Sequence, residues 1–325
     1  MEHVVVYRKI PNYLLQKLRE YYKVSYFEDV TEENFEEFEK SLATASGLLG
    51  STMLITPRLL DQAPNLRVVS NFSAGYDNLP LDELTKRGII ATNAPDALTD
   101  TTADLIFGLL LSTARRIPEL DRYIRSKKWN SEITEDLFGL DVHHKTIGIV
   151  GMGRIGRALA KRAALGFDMK VNYYKRTRDF HAEREFGARF CGLSELLRES
   201  DYVVLTVPLT PETYHLIGQE ELNQMKPSGI LINGARGAVV DQEALIKALQ
   251  ERTILAAGLD VFEEEPLPYN SKLLEMENVV LLPHIGSAVR ETRIRMVELG
   301  IENLLQALRG EKPQNILNPS VMTSD

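Results

Sequence analysis

A glycine triplet near the middle of the chain, Gly151-x-Gly153-x-x-Gly156, follows the apolar run Ile147–Val150 and opens a helical pattern that ends near Phe167. Strand, tight turn and helix in that order confine the surrounding fold to a βαβ unit on a parallel sheet. Gly151 suits the turn, Gly153 lets backbone approach a pyrophosphate, and Gly156 allows close helix packing. The helix start then offers unpaired N–H groups to phosphate oxygens. Glycines also occur at ordinary βα turns. A further strand pattern at Lys170–Tyr174 favours a dinucleotide site over that simpler reading.

Dinucleotide folds that take NAD usually place an acid about 20 residues beyond the glycines, on the ribose hydroxyl. Here that position is Lys175, in the run Lys175-Arg176-Thr177-Arg178. Cationic and hydroxyl groups bind a 2′-phosphate by charge-assisted hydrogen bonds, whereas an acid repels it. A solvated basic loop is the plain alternative. At this position the composition favours NADP(H) over NAD(H).

Strand and helix patterns alternate along most of the chain. Val4–Tyr7, Leu48–Leu49, Arg67–Asn71 and Ile89–Thr92 read as strands, with a helix over Tyr13–Tyr22. Thr99–Arg125 reads as a long helical region broken or kinked at Pro118. A second series has strands at Thr146–Val150, Lys170–Tyr174, Tyr202–Thr206, Gly229–Ile232, Ala256–Leu259 and Val279–Leu282, then a helix over Val289–Leu308. Alternation of this kind predicts an α/β class with parallel sheets, and 325 residues allow two domains. A formal charge of -8 gives no general pull toward nucleic acid. The sole cysteine, Cys191, cannot form an internal disulfide, and no apolar run approaches membrane-span length, so a cytoplasmic protein without membrane attachment is expected.

Three stretches after predicted strands carry candidate chemistry: Asn233–Gly237 with Arg236, Gly258–Pro268 with Glu265, and Leu281–Ala288 with His284. Arginine grips carboxylates, histidine transfers protons near neutral pH, and a carboxylate raises a neighbouring histidine's pKa. Taken singly, Arg236 could be a surface ion pair, Glu265 one of three loop acids, and His284 a core histidine. The adjacent His143 and His144 lack ligand spacing and are not read as a metal site.

Together, Val150–Gly156, Asn233–Gly237, Ala256–Pro266 and Pro283–Ala288 resemble the D-isomer-specific 2-hydroxyacid dehydrogenase family over essentially the whole chain. Ser73–Asn78, Ser112–Arg116 and Asp141–Gly156 carry a closer likeness to its bacterial glyoxylate/hydroxypyruvate and 2-ketogluconate reductases. The resemblance implies two flavodoxin- or Rossmann-like domains with a cleft between them. The substrate-binding domain would be 1–98 plus 291–325 and the dinucleotide domain 99–290. It implies NADP(H)-dependent reduction of a small 2-oxo carboxylate, with His284 as proton donor, Glu265 on its ring and Arg236 on the substrate. Ala74 and Gly75 would bind the substrate carboxylate through backbone N–H groups, with Ser51 in a comparable loop. Arg154, Ile155 and Arg157 would join the three glycines at the pyrophosphate, and Lys175, Arg176 and Thr177 would meet the ribose phosphate. Thr102, Ala235, Asp260 and Gly286 would lie toward the nicotinamide. A homodimer is implied, with Asp100–Trp129 in its interface.

Two departures stand out: Ala74 replaces a frequent valine, and Lys175 replaces the acid of NAD-specific members. A phosphoglycerate dehydrogenase would commonly carry a C-terminal extension, and a formate dehydrogenase would pair its histidine with glutamine. A cofactor-sensing co-repressor shares this fold, but the intact triad and basic loop favour a working reductase.

Overall fold

A computed structural model describes residues 1–322, so the last three residues of the expected 291–325 segment lie outside the described part. The chain divides into two compact units, one formed by Met1–Leu98 with the segment from Ser287 onward, the other by Thr99–Gly286.

The first unit holds five parallel strands: β1 (His3–Val6), β2 (Lys23–Tyr26), β3 (Gly47–Gly50), β4 (Val68–Asn71) and β5 (Ile90–Thr92), in the order β2-β1-β3-β4-β5. This is the flavodoxin-like order, and its direction of winding reverses between β1 and β3. β1, β3 and β4 are buried throughout, which explains why apolar and small residues dominate them, with His3 and Asn71 as buried polar exceptions. β2 escapes sequence reading because Lys-Val-Ser-Tyr, at a sheet edge, carries little apolar signal. The helix Arg290–Leu308 packs on β3 and β4 within this unit. Its Gly300 admits that approach, since a Cβ there would lie 2.7 Å from Phe72 Cβ. The buried Ser70 hydroxyl donates to the Gly300 carbonyl at 2.7 Å.

The second unit holds seven parallel strands: β6 (Thr146–Val150), β7 (Lys170–Tyr174), β8 (Arg189–Phe190), β9 (Tyr202–Leu205), β10 (Ile230–Asn233), β11 (Ala256–Leu259) and β12 (Val279–Leu281). Their order, β8-β7-β6-β9-β10-β11-β12, is the doubly wound dinucleotide-fold order with one added strand. β8 is not expected from sequence: it is a two-residue edge strand, exposed at both positions. The expected helical region Thr99–Arg125, with its break or kink at Pro118, is two helices, Thr99–Ala114 and Ile117–Arg125. The break falls at Arg116, which adopts a left-handed backbone (φ 55°), while Pro118 sits harmlessly in the first turn of the second helix. Among the described residues no helix is long and apolar enough to cross a membrane.

Candidate active site

The three glycines play distinct steric roles in the turn after β6. Gly151 has φ +104°, a region costly for any side chain, and a Cβ on Gly156 would meet the Gly151 carbonyl at 2.2 Å. Gly153 differs: a Cβ there would meet nothing within 4 Å. Its open side is where a dinucleotide can approach backbone. The helix Arg154–Phe167 begins at Gly153 with no side-chain cap and no acid in its first turn, so its leading N–H groups suit an anion. The turn therefore fits a dinucleotide phosphate. Arg154, exposed, and Ile155, half-buried, occupy its first two helical positions.

At the end of β7 the basic run divides by residue. Arg176 and Thr177 are exposed. Lys175 Nζ lies 3.5 Å from Asp179, and Arg157 Nε donates to the same Asp179 oxygen at 2.7 Å. Arg178 instead turns to Glu183, donating from Nε at 3.0 Å and from a terminal nitrogen at 2.7 Å, and it stacks over Phe180. Asp179 escapes the motif reading, although an aspartate before the helical run Phe180–Phe186 is an N-cap signal.

The loops after β10, β11 and β12 carry Arg236, Glu265 and His284. Asn233 is buried and pins the first loop, donating to the Arg236 carbonyl at 3.0 Å and accepting from the Ala235 N–H at 3.0 Å. Arg236 itself donates to the Ala235 carbonyl at 2.9 Å. Gly237 brings this loop against the next, because a Cβ there would lie 1.8 Å from the Phe262 carbonyl carbon. Glu265 accepts from the Phe262 N–H at 3.0 Å and meets His284 Nδ1 at 2.7 Å. Burial pulls the Glu265 pKa up, but bonds from His284 and Phe262 and the nearby Arg236 charge outweigh it and hold the group below its ordinary value. The carboxylate thus receives an Nδ1–H, leaving Nε2 as the imidazole atom available for proton exchange.

His284 has a left-handed backbone, φ 53°. Asp260 supports this turn: its two oxygens accept the Ile285 N–H at 2.8 Å and the Gly286 N–H at 2.9 Å. Gly286 lies close to both Asp260 and Thr102, so these three sequence-selected residues do cluster. A mostly apolar pocket of about 460 Å³ adjoins the pair, bordered by Phe262, Leu267, Leu274, Leu281 and Leu282. A second imidazole–carboxylate contact, His215 Nε2 to Glu263 Oε1 at 2.6 Å, has no forerunner in the sequence motifs. It ties the loop after β9 to the loop bearing Glu265.

In the first unit, Ser51 is buried just after β3. Ala74 and Gly75 follow β4 with their carbonyls taken: Asn93 donates to Ala74 at 2.8 Å and Asn71 to Gly75 at 2.7 Å. The two N–H groups donate to no acceptor among the described residues, and backbone donors in that condition suit a carboxylate. Asn71 and Asn93 are the residues that sequence reading misses here.

The family model described as D-isomer specific 2-hydroxyacid dehydrogenase, NAD binding domain, matches residues 107–286. The chain is 50% identical over 319 residues to glyoxylate/hydroxypyruvate reductase B of Yersinia pestis (strain Pestoides F), covering 98% of each. Among solved structures, a protein from Thermus thermophilus is 43% identical with a TM-score of 0.88, covering 97% of this chain and 99% of that one. The NADPH-dependent glyoxylate/hydroxypyruvate reductase of Sinorhizobium meliloti, solved with NADP and malonate, is 34% identical with a TM-score of 0.85, covering 97% and 96%.

Proposed function

The chain belongs to the D-isomer-specific 2-hydroxyacid dehydrogenase family and is an oxidoreductase, and on that premise we propose that it reduces glyoxylate, hydroxypyruvate or 2-ketogluconate with NADPH to the D-2-hydroxy acid. The 2.7 Å contact between His284 Nδ1 and Glu265 carries this reading, because it leaves Nε2 to deliver a proton. We assign the cofactor to the second unit and carboxylate recognition to the first.

When bound, the nicotinamide supplies a hydride to C2 of the 2-oxo acid. The former carbonyl oxygen then takes its proton from His284 Nε2, so the C=O π pair becomes an O–H bond. Arg236 grips the substrate and polarises the carbonyl, and Glu265 balances the imidazolium charge and fixes the ring. Ala74 and Gly75 offer their N–H groups to the carboxylate, with Ser51 in the neighbouring loop. Thr102, Ala235, Asp260 and Gly286 border the nicotinamide end. In the oxidative direction neutral His284 would accept the proton.

Initial rates with NADPH and NADH, run in parallel on glyoxylate, hydroxypyruvate and 2-ketogluconate, test the reading. Turnover with NADPH preferred is expected, and the order of kcat/KM ranks the substrates. Cofactor binding with no turnover on any of them would reject it in favour of a sensor or another 2-oxo acid. We also propose a homodimer, supported by the exposed Ile124, Trp129, Ile133 and Phe138 in the second unit. Light scattering should give twice the chain mass, and a monomeric mass at micromolar concentration would refute it.

A further inference from the structure

An acid does stand in the turn after β7, four residues beyond Lys175, and it faces inward. The Asp179 side chain is 1% exposed. One oxygen accepts the Ala182 N–H at 3.1 Å and caps the helix Phe180–Phe186. The other meets two cations from different elements, Arg157 on the dinucleotide helix at 2.7 Å and Lys175 at the end of β7 at 3.5 Å. Tyr173, fully buried in β7, accepts the Asp179 N–H at 2.7 Å and donates to Glu183 at 2.7 Å, so the turn is anchored from below.

Arg157 is bound through Nε alone, and its terminal nitrogens have no hydrogen-bond acceptor among the described residues. A guanidinium held in this way keeps a forked donor pair for an oxyanion. Without the shared acid, Arg157 and Lys175 would repel each other and disperse into solvent. Two cations thus flank one buried carboxylate, and Arg176 stands exposed in the same turn.

We infer that Asp179 is a positioning residue for cofactor choice: it seats Arg157 and Lys175 together so that they form, with Arg176, a receptor for a ribose 2′-phosphate. Arg157 thereby moves from the pyrophosphate turn to the phosphate that distinguishes the two cofactors. This rests on the NADP(H) reading above. Asp179 does not touch the phosphate; it acts through the two cations.

The test is calorimetric binding of 2′,5′-ADP and of ADP to the full chain, which needs no turnover. Asp179→Asn preserves an oxygen for the Ala182 N–H but presents an amide N–H₂ to the cations. Its Kd for 2′,5′-ADP should rise about tenfold, the size of a lost charge-assisted contact, with ADP binding unchanged. Arg157→Ala, at a half-exposed side chain, should match it, and the double variant should be little worse than either single one. In steady state Asp179→Asn should raise KM for NADPH while KM for NADH and kcat hold.

Wild-type protein that does not prefer 2′,5′-ADP over ADP would overturn the cofactor reading and this inference together. Wild-type preference that survives in Asp179→Asn would overturn the inference alone. Tighter binding of 2′,5′-ADP by Asp179→Asn would also overturn it, by showing that the carboxylate repels the phosphate instead of seating its ligands. Additive effects of the two substitutions would separate Asp179 from Arg157 and do the same.

Discussion

Asp260 and Asp179 are both buried aspartates that hold a loop of the second unit, yet their surroundings drive them in opposite directions. Asp260 receives two backbone N–H groups, from Ile285 and Gly286. Burial dominates and raises its pKa, with the backbone bonds and nearby His284 only partly opposing that shift. Asp179 is also penalised by burial, but the Ala182 N–H and the Arg157 and Lys175 charges outweigh the penalty and lower its pKa. One acid shapes a turn by dipoles, the other gathers charge. Burial pushes both acids upward, and only at Asp179 do an N–H donor and two cations outweigh it.

The largest expected effect lies in the loop that Asp260 supports. His284→Ala should lower kcat by about 10²–10⁴-fold, the usual span for a positioned acid–base group, while NADPH binding measured by fluorescence stays within about twofold. An unchanged kcat would remove His284 from proton transfer.

Asp260→Ala should come next. It strips the acceptor from two N–H groups that hold the left-handed His284 turn, and each such loss costs about 1–3 kcal/mol. Lower thermal stability together with a fall in kcat is expected, read by calorimetry and initial rates. Full activity in a destabilised protein would show that the turn keeps its shape unaided.

The two acids should also separate in acid. Asp179 has a folded pKa below its unfolded value, so its stabilisation is present above about pH 3.9 and is lost as pH falls through the folded pKa. Asp260, raised, has the reverse slope: the folded state holds its proton more tightly, so its contribution to stability declines as pH climbs from about 3.9 through the folded pKa. Urea unfolding of Asp179→Asn and Asp260→Asn from pH 3 to pH 6 would read both slopes, and parallel pH profiles would break the contrast.

The smallest effect belongs to Arg178→Ala. Its guanidinium is engaged by Glu183, so KM for NADPH should move less than about threefold despite its place in the basic run. A larger rise would mean that Arg178 leaves Glu183 when cofactor binds.

How far the sequence can be read varies with what each residue needs from its neighbours. β6, β7 and β11 are legible to the residue because apolar, aromatic and small residues dominate strands buried along most of their length, with Lys170 and Asn172 the polar exceptions in β7. β2 and β8 are not, because an edge pair draws its stability from backbone hydrogen bonds that any residue can supply. Arg236, Glu265 and His284 stand out within recognisable loop motifs, one of which opens with Asn233, whereas Asn71 and Asn93 act by pinning carbonyls and leave no pattern of their own. The break in the Thr99–Arg125 region is legible, since Pro118 marks it, but its position is not: the chain turns two residues earlier, at Arg116.

The sequence by itself determined the glycine turn, the alternation that builds parallel sheets, and the residue types of the chemical loops, since each is a local matter of backbone sterics or side-chain period. Tertiary structure alone decided that Glu265 meets Nδ1 of His284, that Asp260 holds the turn beside it, and that Asp179 joins cations 22 and 4 residues away. A carboxylate is fixed by whichever donors surround it once water is excluded, and those donors come from separate strands and helices that only the folded chain brings into hydrogen-bonding reach.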